Sequence, residues 1–437
     1  MDRRRAIKWI GTAGVVGAVG PAFGALGRIL HAQAAIDWAA RVAALPQPAV
    51  DEIVITAVGD MMISDPVTNR ALPEAQAMYR VLDDADVAFA NCEQPVATQG
   101  VLKGGFPQTA TPEMLDDFRA SGFNMLSVAN NHSFDLGQAG LLNWIEESKE
   151  RGFTVAGGGR NLAEATAAGI MTVKGQRVAL LAFLCCPEDY QSPANMAEFR
   201  AQANKSGIGL ITGQRVSVPG SPIPLLLPNA ADMRTMTDAV RRARGEAEVV
   251  MVSFHQHWNL DAPPQGGRGQ PVPPRTLVPA QLERAVNQVA EGRKLICRSA
   301  IDAGADMVVG HGPHVLNGVE LYRGKPILYS LGHFYMALLR DGRALPRLQL
   351  SPSLARLAET NYYLEEHRWA AVARVFVRGG AVTRVQMLPV FMDVQKDGLP
   401  AFPADADAQT INAALREFSQ PFNTELRVTD WYSEVAL

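Results

Sequence analysis

The chain has 437 residues, 41 Lys+Arg against 44 Asp+Glu, a formal charge of −3 and 47% hydrophobic residues. That apolar content excludes a mainly disordered chain, 38 Gly and 28 Pro without a period exclude a collagen-like one, and only four cysteines exclude a disulfide-stapled miniprotein. The lack of a basic excess argues against a nucleic-acid partner, because neutralising phosphates takes a concentrated Lys/Arg surface.

Residues 1–34 depart from the average. Arg3, Arg4, Arg5 and Lys8 precede a run from Trp9 to Gly27 without a charge, and Ala32-Gln33-Ala34 follows as a small-x-small cleavage pattern. This predicts an export signal peptide, with an uncleaved N-terminal anchor as the alternative. Gly, Ala and Pro21 make the run a poor permanent membrane helix, so the membrane contact is transient and the mature protein is periplasmic or extracellular. Asp2 to Lys8 resembles a twin-arginine signal, although Ala6 stands where a bulky apolar residue is common, which leaves the Sec route open. Cleavage removes five basic residues and Asp2, leaving 36 basic against 43 acidic residues, or −7. A mildly acidic protein meets an anionic substrate through a local site and not through its overall field.

Residues 35–50 read as a linker, 51–395 as the main domain and 396–437 as a C-terminal extension. Ile53 to Val58 predicts a buried strand ending in Gly59-Asp60, and Asp86 to Ala90 a second leading into Asn91-Cys92-Glu93. A helix begins at Thr111-Pro112-Glu113 and stops at Ser121-Gly122, and the strand Phe123 to Ala129 runs into Asn130-Asn131-His132. Leu141 to Arg151 has helical spacing, as has Leu282 to Ala303. Arg177 to Leu184, Glu248 to Phe254 and Met307 to Val309 are further strands, the last two ending in His255-Gln256-His257 and Gly310-His311-Gly312-Pro313-His314. Pro187 to Pro228 and Asp261 to Pro279 read as surface loops, and Arg241-Arg242-Arg244 as a solvated helix face. Trp369 to Val377 and Ala381 to Val390 flank Gly379-Gly380 as a hairpin, and a helix around Ala406 to Phe418 closes the chain. Alternating strands and helices predict an α/β fold, a layered sheet sandwich flanked by helices.

Polar residues that bind metals collect at the ends of these apolar strands, where α/β sheets bind ligands. Asp60, Glu93, Asn131, His132, His255, His257, His311 and His314, with His333 outlying, offer the carboxylate, amide and imidazole mixture that Mn, Fe or Zn accepts, as one ion or two. Either His255 or His257 fits the strand-end ligand. Taken singly, Asp60 and Asn130-Asn131 equally suit turns or helix caps, and a lone His suits a hydrogen-bonded core. Cys92, Cys185, Cys186 and Cys297 match no metal or redox spacing and read as core residues.

Gly59-Asp60-Met61-Met62, Asn91-x-Glu93-x-Pro95, Ala129-Asn130-Asn131-His132-x-x-Asp135-x-Gly137, Ser253-Phe254-His255, Gly310-His311-Gly312-Pro313-His314-Val315 and Tyr329-Ser330-Leu331-Gly332 occur in that order. Together they resemble the capsule-synthesis CapA family, which is associated with poly-γ-glutamate synthesis and has the calcineurin-like metallophosphoesterase fold. The resemblance covers roughly Ile53 to Pro389. It implies that Asp60, Glu93, Asn131, His255, His311 and His314 bind metal, with Glu93 as the bridge, and that His132 faces the leaving group. Asp135 would orient His132 or cap the next helix, and Arg160 or Lys103 would meet an anion. Asn91, Asn130, His257 and His333 fall to the substrate side. Met62 departs from the phosphoesterase pattern, which has a His there, and His333 stands where the family commonly has Asn. The implied function is a metal-dependent hydrolase acting on an anionic polymer or small-molecule substrate, or else a non-catalytic polymer-binding or assembly factor.

Overall fold

The apolar run from Ile53 crosses the core as strand β1 (Ile53–Met62), all ten residues of it buried. The computed structural model describes residues 36–62, 73–102, 109–190, 193–216, 225–256, 289–336, 368–392 and 399–437. β1 pairs in parallel with β2 (Val87–Cys92), β2 with β3 (Met125–Ser127), and β3 with β4 (Thr154–Ala156). Parallel neighbours need crossovers, and helices Glu113–Ala120 and Gly137–Glu150 provide those into β3 and β4. Among the described residues, β5 (Gly158–Gly159) pairs only with β8 (Gly207–Ile208).

A second large sheet is built from β6 (Gly169–Val173), β7 (Gln176–Pro187), β9 (Leu210–Val216), β10 (Leu225–Pro228), β11 (Val249–Gln256), β12 (Met307–His311), β13 (Val319–Tyr322) and β14 (Lys325–Leu328). Its order is β10-β9-β7-β11-β12-β14-β13, with β6 against β7, and β11 lies parallel to both β7 and β12. β15 (His333–Met336) returns to the first sheet beside β1, and β16 (Trp369–Arg378) and β17 (Ala381–Met392) extend it antiparallel to one another. β18 (Pro400–Ala401), β19 (Leu426–Val428) and β20 (Ser433–Val435) complete that sheet, in the order β19-β20-β17-β16-β1-β2-β3-β4. The architecture is thus α/β, with two large sheets and helices.

Several strands reach further than apolarity alone predicts. β1 includes Asp60, β11 includes His255 and β12 ends on His311, because each continues a ladder with a neighbour: Asp60 opposite Asn91, His255 opposite His311. The stretch 187–228, expected as a surface loop, carries helix Pro193–Phe199 and strands β9 and β10. Leu210 and Ile211 fill the ladder beside Leu184 and Cys185, and Pro228 is tolerated because β10 is an edge strand. Arg244, expected on a solvated helix face, turns inward from helix Ala230–Glu246 to Asp306, which is 3% exposed, whereas Arg241 pairs at the surface with Asp238.

Residues 38–437 cluster as one unit. Within the stretch read as a linker, helix Trp38–Ala43 packs Trp38 against Phe402 and Trp431 of the C-terminal segment, with ring centroids 5.1 and 5.2 Å away. Helix Asp405–Ser419 follows close to its expected span. The four cysteines are free and buried. Residues 1–34, 257 and 261–279 lie outside the described residues, and so do the signal-peptide reading, His257 and the second predicted loop. Among the described residues, no helix is long and apolar enough to cross a membrane.

Candidate functional site

The carboxyl ends of β1, β2, β11 and β12 converge, and with them a set of side chains that apolar packing alone would not bury. Asp60, Asn91, Glu93, His255 and His311 are all 0% exposed. Asp60 Oδ1 accepts from Asn91 Nδ2 at 2.8 Å and lies 3.3 Å from His311 Nδ1 and 3.5 Å from His255 Nδ1. Its Oδ2 accepts from the Gly312 amide at 2.9 Å and lies 3.0 Å from His314 Nδ1. Two glycines make this approach possible. A Cβ on Gly59 would sit 1.9 Å from the Gly332 carbonyl oxygen, and one on Gly312, which holds a φ of 103°, would sit 2.7 Å from the Gln256 nitrogen. His314 itself holds a φ of 63°, a left-handed conformation that costs a non-glycine residue about 1–3 kcal/mol and that collects at functional sites.

His255 is the hub. Its Nδ1 lies 2.9 Å from His311 Nδ1 and 3.1 Å from Asn91 Nδ2, and its Nε2 lies 2.9 Å from Asn131 Oδ1 and 3.5 Å from Glu93 Oε1. On the far side of His311, Nε2 is 2.7 Å from Ser253 Oγ, which orients the ring from behind, as outer partners of metal-ligating imidazoles do. Burial outweighs the pull of Asp60 and pushes His255 down to about 3, so its imidazole is neutral, the form a metal requires. Burial alone would raise Asp60, but the hydrogen bonds from His255, His311 and His314 hold it well below the usual carboxylate range. Glu93 goes the other way. Burial, and then the neighbouring charge of Asp60, push it well above its ordinary value.

Both oxygens of Glu93 are buried without a hydrogen-bond partner. Such an orphaned carboxylate costs free energy that a cation would return. Asp60, His255 and His311 offer ligand atoms that all lie within 4.8 Å of one another, and Asp60, His314 and His333 form a second such group. The donor set therefore fits a divalent metal ion.

The structure thus brings together Asp60, Glu93, Asn131, His255, His311 and His314. Asn91 and Asn130, read as substrate-facing, are buried and spend their amides inside the cluster: Asn130 Nδ2 donates to the Cys92 carbonyl at 2.8 Å and to Asn91 Oδ1 at 3.3 Å, and its Oδ1 accepts the His132 amide. His132 Nδ1 lies 2.7 Å from Asp135 Oδ2. His333 is buried and its ring stacks on that of His314 at 4.1 Å. Arg160 is spent on Glu164 at the surface, and Lys103 lies outside the described residues. Sequence reasoning named Ser253 only within the Ser253-Phe254-His255 motif, without a role, and passed over Arg293. The latter is 2% exposed and holds the neighbouring strand ends together through Gln256 Oε1, Asn317 Oδ1 and the Tyr329 carbonyl. An isolated Arg in the polar first turn of helix Glu291–Asp302 carries no pattern that would reveal such a role.

Fold and site define an α/β protein with a buried Asp/His group able to hold a metal ion at its strand ends. A family model described as bacterial capsule synthesis protein PGA_cap matches residues 54–268 and 283–337, more than half of the chain, and the chain belongs to that family. Protein y4sH of Sinorhizobium fredii, named only as uncharacterized, is 26% identical over 87% of this chain and 92% of its own length. The PGA biosynthesis protein CapA of Bacillus subtilis is 25% identical over 69% of this chain and 68% of its own, and the capsule biosynthesis protein CapA of Bacillus anthracis is 25% identical over 65% and 60%. A crystal structure of a hypothetical protein from Thermus thermophilus aligns with a TM-score of 0.40 at 11% identity, over 77% of this chain and 98% of that one.

Proposed function

We propose that this chain is an exported, metal-dependent hydrolase that acts in the synthesis or processing of an anionic envelope polymer of the poly-γ-glutamate type. In this reading the two large sheets are the layers of a metallophosphoesterase-like sandwich, β16 and β17 are its C-terminal hairpin, and residues 1–34 are the export signal. The observation that carries it is Glu93, a fully buried carboxylate with neither oxygen hydrogen-bonded, set beside Asp60 and a neutral His255.

Asp60, Glu93, Asn131, His255 and His311 would hold the ion. When bound, Mn, Fe or Zn supplies Lewis-acid polarisation of an ester, phosphoester or amide oxygen and a nucleophilic water at neutral pH. Asn91 fixes the carboxylate plane of Asp60, and Ser253 fixes the ring of His311. Asp135, 2.7 Å from His132 Nδ1, orients that imidazole, leaving Nε2 to face the leaving oxygen as the proton donor. With Asp60, Glu93, His255 and His311 at 0% exposure, substrate approaches past His314 and His132, whose side chains are 16% and 15% exposed.

The test compares wild type with His311→Ala by elemental mass spectrometry and circular dichroism. The expected result is Mn, Fe or Zn in the wild type and its loss from a variant that keeps its fold. A wild type that purifies metal-free and is indifferent to chelators contradicts the reading. Met62 favours a second one, a non-catalytic polymer-binding or assembly factor, because the thioether beyond Asp60 serves hard divalent ions poorly. A turnover assay on poly-γ-glutamate separates them: a hydrolase loses cleavage in Asp60→Ala, whereas a binder shows none in either protein and keeps its affinity in both.

A further inference from the structure

Asp60 faces two ways. Its Oδ1 looks to His255 and His311, and its Oδ2 looks to His314, 3.0 Å away. Glu93 has the same double reach, since its Oε1 lies 3.5 Å from His255 Nε2 and 3.6 Å from His314 Nε2. The two carboxylates therefore stand between two sets of imidazoles, and a single ion at Asp60, His255 and His311 leaves Oδ2, which accepts from the Gly312 amide, facing His314.

That second side includes His333. Asp60, His314 and His333 each bring a ligand atom within 4.8 Å of the others, and the His314 and His333 rings lie parallel, 9° apart, with centroids 4.1 Å apart. The position of His333 is set by the backbone: β15 runs parallel to β1 with His333 opposite Asp60, and the Asp60 amide donates to the Gly332 carbonyl at 3.1 Å. Beyond Asp60, β1 itself offers only the thioethers of Met61 and Met62. A nitrogen ligand on this side besides His314 must come from a neighbouring strand.

We propose that His333 is a metal ligand, completing with Asp60 Oδ2, Glu93 and His314 a second ion position next to the one at His255 and His311. The inference rests on the reading that the first group holds an ion. Positions sharing two carboxylates fall in the range of about 3.5–4 Å between ions that hydrolytic pairs use.

The test loads the full chain with Mn(II) and counts ions by elemental mass spectrometry, while electron paramagnetic resonance reports whether they are coupled. Two variants accompany the wild type: His333→Asn, which keeps polarity, and His333→Phe, which keeps the stacked ring without its nitrogens. Two coupled ions in the wild type and one isolated ion in both variants is the expected result. One uncoupled ion in the wild type, unchanged in the variants, overturns the inference and leaves the first site standing, and two ions in every protein also overturns it. No ion in the wild type removes the underlying reading as well. Should neither variant fold, the wild-type titration decides: a coupled signal that saturates at two equivalents supports the proposal, and an isolated signal that saturates at one overturns it.

Discussion

Two buried carboxylates in this molecule meet opposite fates. Asp232, 6% exposed in the first turn of helix Ala230–Glu246, accepts from Arg200 Nη2 at 2.8 Å, the Thr212 amide at 2.9 Å and Thr212 Oγ1 at 2.8 Å. Burial would raise it, but those donors, led by Arg200, hold it below its ordinary value. Glu93 is buried more deeply, has no hydrogen-bond donor, and is pushed up. Burial of a charge therefore does not mark a functional site by itself. A buried acid with its full complement of donors is a structural tie, while one left without them beside a neutral imidazole is a candidate cation site.

Breaking each side of this contrast should give different losses. The largest is expected from Glu93→Gln, which should weaken metal binding by more than about 100-fold, beyond what loss of an outer partner costs, while the metal-free chain melts no lower, because the amide mimics the protonated acid. Calorimetric titration and thermal melting check the two halves, and unchanged affinity would remove Glu93 from the site. Arg200→Ala should do the reverse. Stranding a buried Asp232 costs on the order of 3–5 kcal/mol in a fully buried pair, and about 2 kcal/mol here because the Arg200 side chain is 37% exposed, with metal content unchanged. Denaturant unfolding measures this, and a loss of metal would blur the distinction between tie and site. Ser253→Ala, acting only through His311, should cost about tenfold in metal affinity without loss of fold.

The smallest effects concern pH, and their signs oppose. Asp232 is lowered in the folded state, so its contribution is present above about pH 4 and is lost as pH falls through its folded value; Asp232→Asn should flatten the acid limb of the stability curve. Glu93 is raised, so in the metal-free chain stability should fall as pH rises above about 4 towards its folded value, and Glu93→Gln should remove that slope. Unfolding measured across pH on metal-free protein tests both, and slopes of the same sign would contradict the contrast.

Much of the site was legible because apolar strands that end in Asp, Glu, Asn or His have no packing reason to do so. Asp60, Glu93, Asn131, His255, His311 and His314 all carry that signature, and they meet. What stayed hidden depends on partners distant in sequence. Ser253 looks like any strand residue until β12 brings His311 beside it, 58 positions later. Arg244 reads as one more surface cation until Asp306 arrives 62 residues on, and β9 reads as loop until β7 offers it a ladder. Asn91 and Asn130 were legible as site residues, but their direction was not, since an amide that faces inward and one that faces a substrate share the same spacing.

The central claim is that this buried group binds a metal ion, and anomalous diffraction from crystals of chain purified without chelators tests it most directly. The expected result is a peak at a first-row transition-metal edge, within about 2.0–2.2 Å of ligand atoms from Asp60, His255 and His311, that vanishes in Asp60→Asn. Well-diffracting crystals grown with Mn, Fe and Zn present that show no peak there, with these side chains still hydrogen-bonded to one another, would contradict it.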